Sequence, residues 1–206
     1  MKILDYKSAT FAEDLKKACE SVALSPEIVS AVDSVIAAVR ERGDAAVREL
    51  TKKFDGADVA DTAVSEAEMR AAAKLVSASD KKAMREAIAS VKAYHLHTKP
   101  KNWRAKNPHG ATIGENFYPI NRVGIYIPGG SAPLVSTVVM TVTLAKIAGC
   151  PEICVCTPPA RDGSVNPHIL CALGLLGVRE IRKIGGAQAI AAMGVGTQTI
   201  KPVDKL

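Results

Sequence analysis

Aromatic residues make up only 4% of this 206-residue sequence, and nowhere does it carry the roughly 20 consecutive apolar residues that a membrane-spanning helix needs. Asp5, Glu13 and Asp14 interrupt the N-terminal stretch, so it has no apolar secretory core. The expectation is a cytoplasmic protein that does not depend on a membrane. The five cysteines form no C-x-x-C pair. Reduced, buried thiols are one reading of them, and a metal site built from Cys150, Cys154 and Cys156 is the alternative. The scarcity of aromatics also bears on the net charge of +6. Lys and Arg alternate with Asp and Glu along the N-terminal half instead of forming a basic stripe with interleaved rings. That pattern describes a solvated helical surface, and no nucleic-acid partner is expected.

Catalytic motifs are missing as well. No H-E-x-x-H pattern accompanies the four histidines. His95 and His97 stand two apart near the end of a predicted helix, on different faces, which is poor geometry for a shared metal. His109 and His168 have no acidic cluster beside them. Ser131 and Ser136 lack a G-x-S-x-G context. The residues therefore yield no complete catalytic or metal site.

What is present is hydrophobic periodicity, and it changes midway. Ser25-Pro26 reads as a helix start, with Ile28, Val29, Val32, Val35, Ile36 and Val39 at helical spacing and Gly43 just past the end. Asp44 is expected to cap a second helix carrying Val47 and Leu50 and ending near Phe54, before the turn Asp55-Gly56. Ser65 and Glu68 have capping-box spacing ahead of Met69, Ala72, Ala73 and Val76, and Asp80 is expected to open a further helix through Met84, Ile88 and Val91. All these apolar stripes are expected to face a core. Between about 98 and 120, Pro100, Trp103, Pro108, Gly110, Gly114 and Pro119 break the pattern into short runs compatible with a hairpin.

From Asn121 the order becomes strand, glycine turn, helix, repeated. Strands are expected at Val123 to Ile127, Glu152 to Thr157 and Glu180 to Ile184, with helices from about Ser136 to Ala148, from about Asn166 to Leu176, and after the Gly185-Gly186 turn to about Met193. Val203-Asp204-Lys205-Leu206 reads like one more strand. The expected fold class is α/β: an N-terminal helical segment, residues 1–120, followed by an incomplete Rossmann-like parallel sheet with crossover helices, residues 121–206. Ligands of such sheets bind at the carboxyl ends of the strands. Two candidate sites lie there. One is Tyr126 with Pro128-Gly129-Gly130; the other is Gly185-Gly186-Ala187-Gln188. Glycines let backbone N–H groups approach a phosphate, but a tight turn needs glycine without any ligand, and Gln188 is satisfied equally well by neighbouring backbone. Both readings stay open from the residues alone.

The run Val123-Gly-Ile-Tyr-Ile-Pro-Gly-Gly-Ser-Ala-Pro133, with Ser136-Thr-Val-Val-Met140, Ala145-Lys-Ile-Ala-Gly149, Thr157-Pro-Pro159 and Gly185-Gly-Ala-Gln-Ala-Ile-Ala-Ala192, resembles the histidinol dehydrogenases. So do Val39-Arg40, Gly43-Asp44 and Lys53-Phe54-Asp55-Gly56. The resemblance runs the whole length of the chain and matches the N-terminal half of that family. It implies a zinc-dependent cytoplasmic homodimer that oxidises L-histidinol twice with NAD, through the aldehyde, to L-histidine, the last step of histidine biosynthesis. It also implies Tyr126 and Gln188 as NAD contacts, with a third, an asparagine in Gly-Pro-Gly-Asn, expected just after Leu206. The family's zinc ligands, its Glu-His pair and its substrate-binding residues are expected beyond this sequence, so no catalytic and no metal-ligating residue is assigned within it. The chain alone is expected to be inactive. A non-catalytic nucleotide-binding paralogue, or one chain of a split enzyme, is the alternative.

Overall fold

A computed structural model describes residues 3–19, 24–129 and 133–206. The chain divides into two compact units, Met1–Ser34 and Val35–Leu206.

The first unit contains α1 (Phe11–Cys19) and the beginning of α2 (Pro26–Arg42). Helix α1 was not anticipated from the sequence. It is only nine residues long and buries none of them. Its apolar Phe11 and Leu15 are too few to register as a stripe, and local bonds start it instead, Thr10 Oγ1 donating to Asp14 Oδ2 at 2.9 Å. Helix α2 begins at Ser25 as expected, where Ile28 N–H donates to Ser25 Oγ at 3.4 Å. Its stripe does not face a core throughout: Ile28, Val29 and Val32 are exposed, and only Val39 is buried. Periodicity reports that a helix is amphipathic, not that something lies against it.

In the second unit, α3 (Asp44–Asp55), α4 (Glu66–Leu75) and α5 (Ala78–Thr98) precede a hairpin of β1 (Trp103–Lys106) and β2 (Thr112–Glu115). The capping box of α4 is formed, Ser65 Oγ accepting from Glu68 N–H while Glu68 Oε2 accepts from Ser65 N–H. Two cap assignments need correction. Asp44 is the first helical residue of α3 and Gly43 the N-cap; the Asp44 N–H that a cap would satisfy donates to Gln198 Oε1 at 2.8 Å, and its carboxylate accepts from Thr199 Oγ1 at 3.0 Å. Helix α5 starts earlier than Asp80, because Ser77 Oγ accepts from Asp80 N–H at 3.0 Å. In both places a partner the pattern could not see, a distant residue or an earlier serine, takes the orphan N–H of the helix start.

The sheet is built from β3 (Arg122–Tyr126), β4 (Glu152–Thr157) and β5 (Glu180–Lys183), parallel and adjacent in that order. Helix α6 (Val135–Ala148) joins β3 to β4, α7 (Pro167–Leu175) joins β4 to β5, and α8 (Gly186–Val195) follows β5. Past α8 the chain crosses to the other side of β3, where Gly124 N–H donates to Lys205 O at 2.8 Å in a parallel bridge between Val123 and Lys205. The spatial order is therefore β5, β4, β3, then 203–205. It reverses direction beside β3.

Side chains alternate across the sheet and both faces are covered. Val123, Ile125, Ile153, Val155 and Ile181 pack in one cluster with Val138 and Val142 of α6, Ile169 and Leu173 of α7, and Ala72 and Met84 of α4 and α5. Cys154 and Cys156 point the other way, into a cluster with Val47 and Leu50 of α3 and Ala192 and Met193 of α8. The two cysteines are thus wall residues of a packed core. Hydrogen bonding to Cys154 and burial push the Cys156 thiol well up from its ordinary range, which holds it protonated.

At the amino ends of the strands, Arg122 is 5% exposed. Its guanidinium contacts Glu152 Oε2 of β4 at 2.8 Å and Glu180 Oε1 of β5 at 2.9 Å, while Nε donates to Lys201 O at 3.3 Å. One side chain ties three strands and the returning chain together.

Candidate functional site

At the opposite, carboxyl ends of the strands lies a cavity of about 920 Å³. Its walls include Tyr126 at the end of β3, Thr157 at the end of β4, Arg161 and Asn166 from the loop that follows, Gly129, and Asp55 from the last turn of α3. A volume of this order falls within the range of small-molecule sites, roughly 300–1,000 Å³.

Three features give the cavity polar character. Thr157 is fully buried, and its Oγ1 has no hydrogen-bond partner among the described residues, a condition that costs about 1–3 kcal/mol for a buried hydroxyl. Tyr126 reaches from β3 across to the turn after β5, where its hydroxyl oxygen accepts from Gly186 N–H at 3.0 Å, keeping its own proton for another acceptor. Asp55 is half-buried, and burial pushes its carboxyl up from the ordinary range, opposed by a hydrogen bond from Gly185 N–H.

The turn is shaped for this contact. A Cβ at Gly185 would stand 2.6 Å from Asp55 Oδ1 and 2.7 Å from Pro158 Cβ, so only glycine admits the carboxylate. Gly186 has φ +56°, and a Cβ there would meet Gln188 Oε1 at 2.9 Å. Both glycines are dictated by geometry.

The sequence pointed to Tyr126 and Gln188. Tyr126 lines the cavity, whereas Gln188 is 1% exposed and lies behind the wall. Gln188 Nε2 donates to Asp55 Oδ2 at 3.4 Å, and Asp55 lines the cavity together with Tyr126. Of the first candidate turn, Gly129 packs close to Pro158, while Gly130, Ser131 and Ala132 lie outside the described residues. Asp55 and Thr157 were not singled out from the sequence. Asp55 read as a turn residue, although it stands inside the quoted Lys53-Phe54-Asp55-Gly56 match; Thr157 carried no signal beyond ending an apolar strand.

The histidines do not converge. His95 Nδ1 lies 3.3 Å from Thr98 Oγ1 in its own helix, and His168 Nε2 lies 3.4 Å from Asp80 Oδ2. Among the described residues, no three His, Cys, Asp or Glu side chains are grouped to hold a metal ion. Zinc therefore does not fit the donor set of this chain's described residues. For a dinucleotide the residues do fit: an orphaned buried hydroxyl, a phenol with a free proton and an acceptor carboxylate surround one cavity at the strand ends.

An open parallel sheet with helices on both faces, whose strand order reverses beside the strand that carries Tyr126, is a doubly wound α/β layer of the Rossmann kind. The family model for histidinol dehydrogenase matches residues 19–206. The chain is 44% identical over 209 residues to a histidinol dehydrogenase of Xanthomonas euvesicatoria, covering 100% of this chain and 48% of that protein. It is likewise 44% identical over 183 residues to one from Symbiobacterium thermophilum, covering 88% of this chain and 42% of that protein. The crystal structure of histidinol dehydrogenase from Elizabethkingia anophelis superposes with a TM-score of 0.88 at 38% identity, over 94% of this chain and 45% of that one. The chain belongs to the histidinol dehydrogenase family, of which it corresponds to the N-terminal half; it spans about half the length of these relatives. No helix among the described residues is long and apolar enough to cross a membrane.

Proposed function

We propose that this chain is the dinucleotide-holding part of an oxidoreductase that uses NAD and zinc to oxidise L-histidinol, through the aldehyde, to L-histidine. The observation that carries the reading is the cavity at the carboxyl ends of β3 and β4, with the Tyr126–Gly186 bond and the Asp55 carboxylate on its wall. Tyr126 is assigned to the cofactor directly, and Gln188 is assigned to the same site. NAD, when bound, accepts the hydride; this chain's residues bind and orient it.

Residues 1–120 are proposed as the mostly helical part of a first subdomain and 121–206 as the Rossmann-like NAD-binding part. The assembly proposed for the whole protein is a cytoplasmic homodimer acting on a small molecule, without nucleic acid. This chain on its own is expected not to turn histidinol over, because oxidation of an alcohol needs a base and, by family likeness, a metal, and its described residues group no donor set for one.

The test is NAD reduction by the purified chain with L-histidinol and zinc, together with zinc content by elemental analysis. Silence with no bound zinc supports the assignment. Robust turnover with stoichiometric zinc would replace it with an active site inside these 206 residues.

A further inference from the structure

Between Glu86 and Glu152 the sequence holds one acid, Glu115, against seven Lys or Arg residues. Arg122 is taken up by Glu152 and Glu180. None of the other six stands in an ion pair among the described residues; Lys99 and Lys106 donate to the carbonyls of Ile147 and Gly110 instead. Three of the six, Lys101, Arg104 and Lys106, lie on β1 or just ahead of it. From Leu96 to Ile120 every residue but Asn107 is exposed, so the β1–β2 hairpin contributes to neither core cluster.

A two-stranded hairpin is marginally stable in water at best, and a third strand or a packed face is what supports one. The register shows what a third strand meets here. Trp103 pairs with Glu115 and Ala105 with Ile113. Side chains alternate along a strand, so these four share one face; Trp103 and Ile113 are each 46% exposed there, and Trp103 Nε1 donates to Glu115 Oε2 at 2.7 Å. Arg104, Lys106 and Thr112 belong to the other face, where a Cβ at Gly114 would stand 3.1 Å from Arg104 Cγ. Glycine at that position gives the arginine stem room to lie across the ribbon. The hairpin is therefore apolar on one side and cationic on the other. Among the described residues, no backbone hydrogen bond from outside the hairpin reaches β1, so the groups on its outer edge have no protein partner.

An open edge carrying lysine and arginine repels a second copy of itself and any basic strand. It selects an acidic one. We propose that the outer edge of β1 is a docking site for an extended acidic segment of a partner protein, which adds to the hairpin as a third strand and alternates acidic with apolar residues. Its carboxylates lie opposite Arg104 and Lys106 on one face, and its apolar side chains lie opposite Trp103 and Ala105 on the other. Main-chain bonds hold the segment, and the alternation sets its register. A single-stranded nucleic acid fits less well. Stacking platforms combine rings and cations on one surface, whereas this register sends Trp103 and the cations to opposite faces and puts Glu115 beside the ring, where it repels phosphate. No residue of β1 or β2 lines the cavity at the strand ends, so the proposal stands apart from the dinucleotide reading.

Trp103 is the chain's only tryptophan, and its fluorescence reports the site directly. The experiment titrates the 206-residue chain with a short peptide alternating Glu and Val, with the matching Lys and Val peptide, and with oligothymidylate, at low and high salt. Amide resonances of the ¹⁵N-labelled chain locate the binding. Expected is saturable binding of the Glu and Val peptide alone, with shifts at Trp103, Arg104, Ala105 and Lys106, weakened by salt. The double variant Arg104→Glu with Lys106→Glu should bind it roughly tenfold or more weakly, because two attractive cross-strand pairs become repulsive, and should gain affinity for the Lys and Val peptide. Both positions are exposed, so the circular dichroism of the variant should match the wild type. Equal binding of the two peptides, shifts that avoid β1, or no binding overturns the proposal. So does tighter binding of oligothymidylate, which would make the surface a nucleic-acid site. A concentration-dependent change in Trp103 fluorescence without peptide also overturns it, by assigning the edge to a second copy.

Discussion

Replacing Arg122 with Met tests how the sheet is held at its amino ends. The substitution keeps an unbranched side chain of similar reach in the buried slot and deletes the charge, leaving Glu152 with Lys201 Nζ alone at 3.4 Å, Glu180 with Arg182 alone at 3.6 Å, and Lys201 O without its donor. Removing one partner from a fully buried ion pair costs about 3–5 kcal/mol. Here Glu152 keeps 48% and Glu180 28% of the side chain in water, so solvent takes up part of the loss and the expected cost is about 2–4 kcal/mol. For a unit of this size that is a drop in Tm of roughly 5–12 °C. Urea unfolding followed by circular dichroism should show a lower midpoint at unchanged slope.

Acid sharpens the test. Burial alone would raise the Glu180 carboxyl, but hydrogen bonds from Arg122 outweigh it, and the bond from Arg122 lowers Glu152 too; both are held below the ordinary carboxylate range. Their contribution is fully present above that range and is lost as pH falls through the lowered folded-state values. The wild type should therefore lose stability on acidification below about pH 4.3, and Arg122→Met should lose much less over the same interval. Adding Glu152→Gln and Glu180→Gln to Arg122→Met should recover part of the loss. An unchanged midpoint in Arg122→Met, or a triple variant weaker than the single one, refutes the reasoning.

Other outcomes follow from single contacts. Ser65→Ala removes one arm of the α4 capping box and should destabilise by about 1 kcal/mol in the same assay. Gly186→Ala forces a side chain into a left-handed backbone and against Gln188 Oε1; it should cost about 1–3 kcal/mol and weaken nucleotide binding, and a neutral effect on both would show that the turn is not built as described. Tyr126→Ala should weaken NADH binding several-fold, and unchanged affinity would remove Tyr126 from the cofactor. The apolar groove between the end of α5, residues 117–120 and α6, where Tyr118 and Leu144 are exposed, should bind the dye ANS; no fluorescence gain would mean the groove is closed in solution.

β3 and β4 were legible in the sequence as short apolar runs ending at Pro128 and Pro158, β5 carries three charged residues in four and was legible from Gly177 and Gly185 on either side of it, and the helices after β3 and β4 stop at Gly149 and Gly177. Local signals also gave the capping box at Ser65. What stayed hidden depends on residues far apart in the chain. Gln198 satisfying the start of α3, and Arg122 bridging two strands, appear only once the register pairs Arg122 with Glu152 and Cys154 with Glu180. Of the candidate site, the two Gly turns and Tyr126 were visible as motifs. Asp55 was not, because its importance comes from α3 packing against the turn after β5, a contact 130 residues away in sequence from Gly185. Gln188 was visible as a polar residue in an apolar segment, but its burial behind Asp55 was not. The exposed half of the α2 stripe shows the same limit from the other side: a pattern announces a face and not its partner.

The central claim is that a dinucleotide occupies the cavity at the carboxyl ends of β3 and β4. The most direct measurement is a titration of the ¹⁵N-labelled chain with NAD, followed residue by residue through its amide resonances. The account predicts saturable shifts clustered at Gly129, Thr157, Arg161, Gly185 and Gly186, with the amino-end residues Arg122 and Glu152 unmoved. Saturable shifts confined to another surface, or none at all, would contradict it.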